Sequence, residues 1–301
     1  MSWEETFQSW AQSLDQNERI KCDAAERAIK RAVKNDGTLS TMNIDVQPHG
    51  SYRANTSIRQ DSDVDIRVCL RSTFYYCLPP HLSERPEAID RRDTSITYKE
   101  FKQLVEYALV REFGKKSVTR GNKAFHIHEK PGRIDADVVA AFEYRLYTGR
   151  YNPDGTPAYH SGITFLPDNS GQVINWPDQT YENGIQKNNE TRRRYKAVIR
   201  ILKNLRNKMQ EDKIPQTTNI ASFLIESLVW NVPNEGFGHA RLSEDVQYAL
   251  ASCFNSTMDN ANCRTWYEIN ELKSLFKQSQ PWTRRQSHQF ISAAWDYVGF
   301  E

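Results

Sequence analysis

Trp3, Phe7, Trp10 and Leu14 recur at helical spacing, followed by Ile20, Ala24, Ala28 and Val33. This pattern predicts one or two helices over 3–34, stopped by Asn35-Asp36-Gly37. Ile44–Val46 reads as a short strand running into a turn at Pro48-His49-Gly50-Ser51. Charged and apolar residues then alternate along Asp63–Leu70, the period of a strand with one polar face. Tyr98–Phe113 has the spacing of an amphipathic helix. Lys123–His128 and Arg133–Phe142 predict two strands joined at Lys130-Pro131-Gly132. Residues 149–190 are rich in Pro, Gly, Asn and Asp and predict loops with one or two short strands. From Glu190 the pattern turns helical, with helices over Arg192–Gln210, Asn219–Trp230, Ser243–Phe254 and Arg284–Tyr297. The expected organisation is a mixed α+β part over 1–187 and a helical part over 188–301, with the site in a cleft between them.

Composition narrows the classes. At ~100–200 residues per domain, 301 residues fit two units. Thirteen Phe, fourteen Tyr and seven Trp are more large residues than a disordered chain carries. A net charge of +2 argues against a tail-like or histone-like nucleic-acid binder and leaves room for a local basic cleft. The longest apolar runs, Val138–Phe142 and Phe223–Trp230, fall well short of the ~18 residues of a membrane span. The acidic, amphipathic start MSWEETFQSW is unlike a secretory signal, so a cytoplasmic protein is expected. Cys22, Cys69, Cys77, Cys253 and Cys263 are scattered without C-x-x-C spacing, which predicts reduced thiols and no zinc site.

The chemistry concentrates in Gly50–Ile66. Asp63 and Asp65 lie two apart on a predicted strand, so both carboxylates project from one face. Like charges that close need a cation, and Mg²⁺ accepts carboxylate and phosphate oxygens together. Gly50-Ser51 precedes them at a turn expected to open a short helix, where N–H groups and a hydroxyl can hold phosphate. A later strand carries Asp135 and Asp137 on a common face. A third carboxylate from it would complete a two-metal cradle, one metal activating a hydroxyl and the other steadying pyrophosphate. By itself a D-x-D is often only a solvated strand face. His126 and His128 also alternate, but a polar sheet face explains them better than metal binding.

A Gly-Ser, a D-x-D and a later Asp resemble the signature of polymerase-β-like nucleotidyltransferases. The segments GSYRANTSIRQDSDVDI, RIDADVVAAFEYR, NWPDQTYENG, RRYKAVIRILKNLR and ASFLIESLVWNVP are similar, in this order, to bacterial cGAS/DncV-like nucleotidyltransferases of the CdnE clade. The resemblance spans roughly residues 20–300. One departure is His49, where relatives often have Gln or an apolar residue. The resemblance implies a nucleotidyltransferase core (mixed sheet with flanking helices) packed on a C-terminal helical lobe and braced by a long N-terminal helix. It implies a monomeric enzyme joining nucleoside triphosphates into a 3′-5′ cyclic dinucleotide with release of pyrophosphate, for anti-phage (CBASS) signalling through an effector that responds to the product. It implies two Mg²⁺ ions, with Mn²⁺ as the substitute, held by Asp63, Asp65 and Asp137.

Further residues follow from the same resemblance. Arg200 and Lys203 share a helix face and are expected to meet the donor triphosphate, while the basic residues around them, Lys196 and Arg206 included, read mainly as a solvated face. Gly50, Ser51, Ser222 and Phe223 are expected beside the nucleotide; a helix-start Ser and a core Phe are the plainer reading of the last two. Asn175, in Ile174-Asn175-Trp176-Pro177, can read a base edge and implies a uracil, hence UTP and ATP as substrates. Cyclic UMP-AMP is then the first expected product, cyclic di-UMP the second, and a di-purine remains an alternative. The rivals are a template-independent RNA nucleotidyltransferase, which would want a broad basic surface, and a non-catalytic nucleotide binder, which should have lost a carboxylate. Neither a membrane nor a stably bound nucleic acid is expected as partner.

Overall fold

Strands dominate the middle of the chain and helices its end, as the computed structural model shows for residues 2–59, 63–80, 96–169 and 171–301. Helices are α1 (Trp3–Trp10), α2 (Gln16–Lys34), α3 (Gly50–Ala54), α4 (Tyr98–Phe113), α5 (Pro177–Glu190), α6 (Arg194–Glu211), α7 (Ser222–Trp230), α8 (Leu242–Thr257) and α9 (Arg284–Val298). Strands are β1 (Ile44–His49), β2 (Val64–Cys77), β3 (Val118–Arg120), β4 (Phe125–Ile127), β5 (Ala136–Tyr151), β6 (Pro157–Phe165) and β7 (Val173–Asn175). Contacts divide the chain into two units at more than one point. Asp15–Tyr52 and Ser62–Asp178 form one unit; Met1–Leu14, Arg53–Asp61 and Gln179–Glu301 form the other.

The first unit is built on a mixed sheet in the order β1-β2-β5-β4-β3, with β6 joining β5 and β7 joining β6. Among the described strands only the β2–β5 pair is parallel. The central strand is β5, because Val138–Phe142 is apolar on both faces and can be buried on both. On β2 the alternation sends Val64, Ile66, Val68 and Leu70 into the core. Helix α4 packs on β5, with the Tyr98 and Phe101 rings each 5.5 Å from the Phe142 ring and the Tyr98 hydroxyl donating to the Ala140 carbonyl. Small residues on α2 (Ala25, Ala28, Ala32) are fully covered. Capping boxes at Asp15/Glu18 and Thr97/Glu100 start α2 and α4 by satisfying free backbone N–H groups.

In the second unit α1 and α6–α9 share one apolar core, from Phe7 through Val198, Leu202 and Leu205 to Phe290. Two expectations are corrected here. Residues 177–190, read as loop, form α5; its Pro at the first turn is compatible with a helix start, and its polar composition hides the period. Lys196 and Arg206, read as part of a solvated basic face, are buried together with Arg200 and Lys203, while Arg192 and Arg193 are exposed and Lys208 keeps 43% of its side chain in solvent. All five cysteines are free thiols. Among the described residues no helix is long and apolar enough to cross a membrane.

Candidate active site

Strand pairing, not sequence spacing, assembles the carboxylates. The register pairs His49 of β1 with Asp65 of β2, Asp65 with Asp137 of β5, and Asp137 with His126 of β4. Four side chains thus form a row across four adjacent strands, whose spacing is about 4.8 Å. Their neighbours Val64, Ile66, Ala136, Val138, Phe125 and Ile127 are buried, so the row occupies the opposite, open face of the sheet. Asp63 stands one residue before β2 and is exposed. Gln60–Ser62 of the same motif lie outside the described residues.

Gly50 follows β1 directly, with φ +63°. A Cβ here would come 2.2 Å from the Asp65 Oδ2 and 3.1 Å from its Cγ. Glycine is therefore required twice, for the left-handed backbone and for the approach of the carboxylate. Gly50→Ala would add ~1–2 kcal/mol of backbone strain and displace Asp65. Such displacement is expected to cost about 10²-fold in turnover, measurable as kcat at saturating triphosphates alongside a thermal melt. Ser51 is the second residue of α3 and is half-buried.

Asp135 does not share the strand face expected for it. β5 begins at Ala136, and the Asp135 Oδ1 accepts the Glu129 N–H at 2.6 Å, closing the turn before the strand. Asp137 is engaged instead by His126, Nδ1 to Oδ1 at 2.5 Å. Sequence reasoning missed this contact, although the alternation of His126 between buried Phe125 and Ile127 was the available signal.

For a divalent cation, Asp65 and Asp137 have suitable chemistry and placement: adjacent carboxylates in register, with a glycine backbone pressed against one of them. Asp63 contributes the same donor chemistry. Among the described residues, no group of three or more His, Cys, Asp or Glu side chains is gathered closely enough to form a ready cage.

Asn175 ends β7, where it pairs with Ile163 of β6 and is half-buried. Gly162 permits this, since a Cβ there would lie 2.7 Å from the Asn175 carbonyl. The next residue, Trp176, is buried edge-on against Tyr144 at 6.2 Å. Asp178, in the first turn of α5, pairs with Arg67 at 3.1 Å. Arg67 is 1% exposed, sits two residues after Asp65 on the same strand, and also reaches Asp45 and Gln47. It ties the Asn175–Asp178 turn to the strand that carries Asp65. The charge at this position was visible in the sequence, but its partners were not.

In the helical unit, Arg200 and Lys203 grip the segment that follows α3. Arg200 donates to the Ala11 and Asn55 carbonyls at 2.7 and 2.6 Å. Lys203 Nζ donates to the Thr56 carbonyl at 3.0 Å and pairs with Glu226 at 2.5 Å. Thr56 Oγ1 also donates to Glu226, at 2.9 Å. Asn55 has φ +56°, a conformation Asn tolerates better than most, and it ends the short helix. The structure thus places both cations in buried contacts that hold residues 55 and 56 between the Gly-Ser turn and the D-x-D. Ser222 accepts from Arg206 Nη1 at 3.1 Å at the start of α7. Phe223 packs against the core with its ring 6.3 Å from Trp282.

The cGAS/DncV-like nucleotidyltransferase C-terminal helical domain model matches residues 182–299. The cyclic dipyrimidine nucleotide synthase CdnE of Legionella pneumophila is 39% identical, over 99% of this chain and 98% of that protein. The chain belongs to the cGAS/DncV-like nucleotidyltransferases of the CdnE type. A cyclic dipurine nucleotide synthase of Elizabethkingia meningoseptica is 32% identical over 99% of both chains. The Rhodothermus marinus CdnE c-UMP-AMP synthase, solved with Apcpp and Upnpp, superposes with a TM-score of 0.81 at 27% identity, covering 99% of this chain and 97% of that one. This CdnE-type enzyme is a nucleotidyltransferase that makes cyclic dinucleotides from nucleoside triphosphates. Its mixed α+β core and helical C-terminal domain are those of the family, whose members use divalent metal ions.

Proposed function

We propose that this CdnE-type synthase joins two nucleoside triphosphates, at least one of them UTP, into a 3′-5′ cyclic dinucleotide. Cyclic UMP-AMP is the first product expected and cyclic di-UMP the second, each acting as a signal in CBASS anti-phage defence. The carrying observation is the in-register pair Asp65 and Asp137 beside the Cβ-free Gly50. Asn175 supports the uracil assignment, as does similarity over nearly the whole chain to a synthase named for dipyrimidine products. The similar dipurine synthase makes a purine product the competing outcome.

Asp63, Asp65 and Asp137 would hold the divalent ions, Mg²⁺ in the first instance and two in number. Bound there, such ions lower the pKa of a hydroxyl and offset charge on a leaving pyrophosphate. The remaining chemistry is positional. A ribose hydroxyl of one nucleotide attacks the α-phosphate of the other, the α–β phosphoanhydride bond breaks, and pyrophosphate leaves. Asp137 Oδ2, the oxygen His126 does not engage, is the atom suited to take the hydroxyl proton. Gly50 and Ser51 turn the chain beside Asp65 and are assigned to donor phosphate. A second attack of the same kind closes the ring.

Incubation with Mg²⁺ and four triphosphates, one α-³²P-labelled at a time, tests this directly. After phosphatase treatment, a resistant dinucleotide labelled from UTP is expected. Label from purines alone would overturn the uracil assignment, and label confined to added RNA would overturn the cyclase reading. Asn175→Ser should lower uridine relative to purine incorporation about tenfold, the scale of one good base-edge contact. An unchanged base ratio in that variant would remove Asn175 from base selection.

A further inference from the structure

We propose that His126 is a positioning residue for Asp137, fixing its carboxylate so that one oxygen is held by imidazole and the other is presented to the reacting centre. The inference rests on the reading of Asp137 as a catalytic carboxylate. Three observations carry it. The two residues are direct register partners on β4 and β5, so their side chains rise side by side on the open face. The His126 Nδ1 lies 2.5 Å from the Asp137 Oδ1. A carboxylate can only accept, so Nδ1 carries the proton and donates it. From behind, Gly121 closes on the ring: a Cβ at Gly121 would lie 2.7 Å from Nε2 and 3.2 Å from Cδ2. The imidazole therefore sits between a bare stretch of backbone and the carboxylate.

The energetic need is specific to this side chain. Asp137 is about one-third exposed, and an exposed Asp with no partner samples several rotamers. Asp65 has the close Gly50 backbone to limit it, whereas Asp137 has His126. His128, two residues along β4, is engaged elsewhere, with Thr119 at 2.9 Å. Groups that orient a ligating side chain typically change metal affinity or activity 10–100-fold when removed.

The test uses the full chain. In the metal-free protein, a downfield imidazole N–H proton is expected by NMR, absent from His126→Ala and moved upfield in Asp137→Asn. Mn²⁺ binding, followed by electron paramagnetic resonance with a non-hydrolysable triphosphate present, should weaken about tenfold in His126→Ala. His126→Asn keeps an N–H near the Nδ1 position and should restore affinity to within about threefold. Triphosphate KM should stay within about twofold of wild type while kcat falls. A His126→Ala protein with wild-type Mn²⁺ affinity and wild-type kcat overturns the proposal. If Asp137→Asn is inactive in that case, only the positioning role has failed. If Asp137→Asn makes product at the wild-type rate, the catalytic reading of Asp137 falls and the proposal falls with it.

Discussion

Asp65→Asn is expected to reduce cyclic dinucleotide formation to below about 1% of wild type while leaving the fold as stable or slightly more so. The amide has nearly the shape of the carboxylate, so β2 keeps its pairing with β1 and β5. What disappears is the charge. A neutral amide is a poor ligand for a hard divalent cation, and losing one preorganised electrostatic contributor to the transition state, here the cation the carboxylate would hold, costs about 10²–10³-fold in rate. Stability moves the other way, because Asp65 and Asp137 are neighbours on parallel strands and like charges at that spacing repel. Asp137→Asn should lose activity similarly, and so should Asp63→Asn. Product assays beside thermal melts separate the two effects. More than a tenth of wild-type product from Asp65→Asn would sink the assignment of these carboxylates.

Lys203→Met carries the largest expected effect on stability. The ammonium is 1% exposed and is shared between the Glu226 carboxylate and the Thr56 carbonyl. Its removal leaves Glu226, itself buried, as an uncompensated charge. Breaking one side of a buried pair costs ~3–5 kcal/mol, which for a unit of this size is a fall of roughly 10 °C in Tm. The double variant Lys203→Met/Glu226→Leu should recover most of that loss, since an apolar pair of similar volume can replace a buried ion pair. A Lys203 acting only as an exposed phosphate ligand would behave differently, with activity lost and Tm unchanged. Calorimetry of the single and double variants distinguishes the two roles.

Elements with local signals are legible in the amino-acid sequence. The helix expected over Tyr98–Phe113 has those same bounds, because its period and its Thr97/Glu100 box both lie within one stretch of sequence. Asp63–Leu70 alternates as a half-polar strand should, and β2 covers most of that stretch before continuing to Cys77. The extension of β5 to Tyr151 is not legible in this way. Beyond Phe142 it is held by the far end of β2, past a register shift, and by β6, whose residues read locally as loop. α5 is hidden for a related reason: its sequence is polar enough to pass for a connection.

The sequence by itself supplied the candidate site residues, the turn at Gly50-Ser51 and the family; that glycine is required at position 50 came from the structure. Spacing alone could not place Asp137 beside Asp65, a grouping that only the family resemblance implied, and nothing in the sequence placed His126 beside Asp137, because register between strands is decided by which faces the whole sheet buries. In sequence, Lys196 and Arg206 of α6 also read as mainly solvated, whereas both are buried, and no protein partner is offered there for Arg200 or Lys203. A lysine or arginine reads as solvated until a partner is known, and those of Lys203 and Arg200 come from residues 23 to 189 positions away. Whether a charge is buried is a property of its tertiary partners, since only a paired charge can leave water at a tolerable cost.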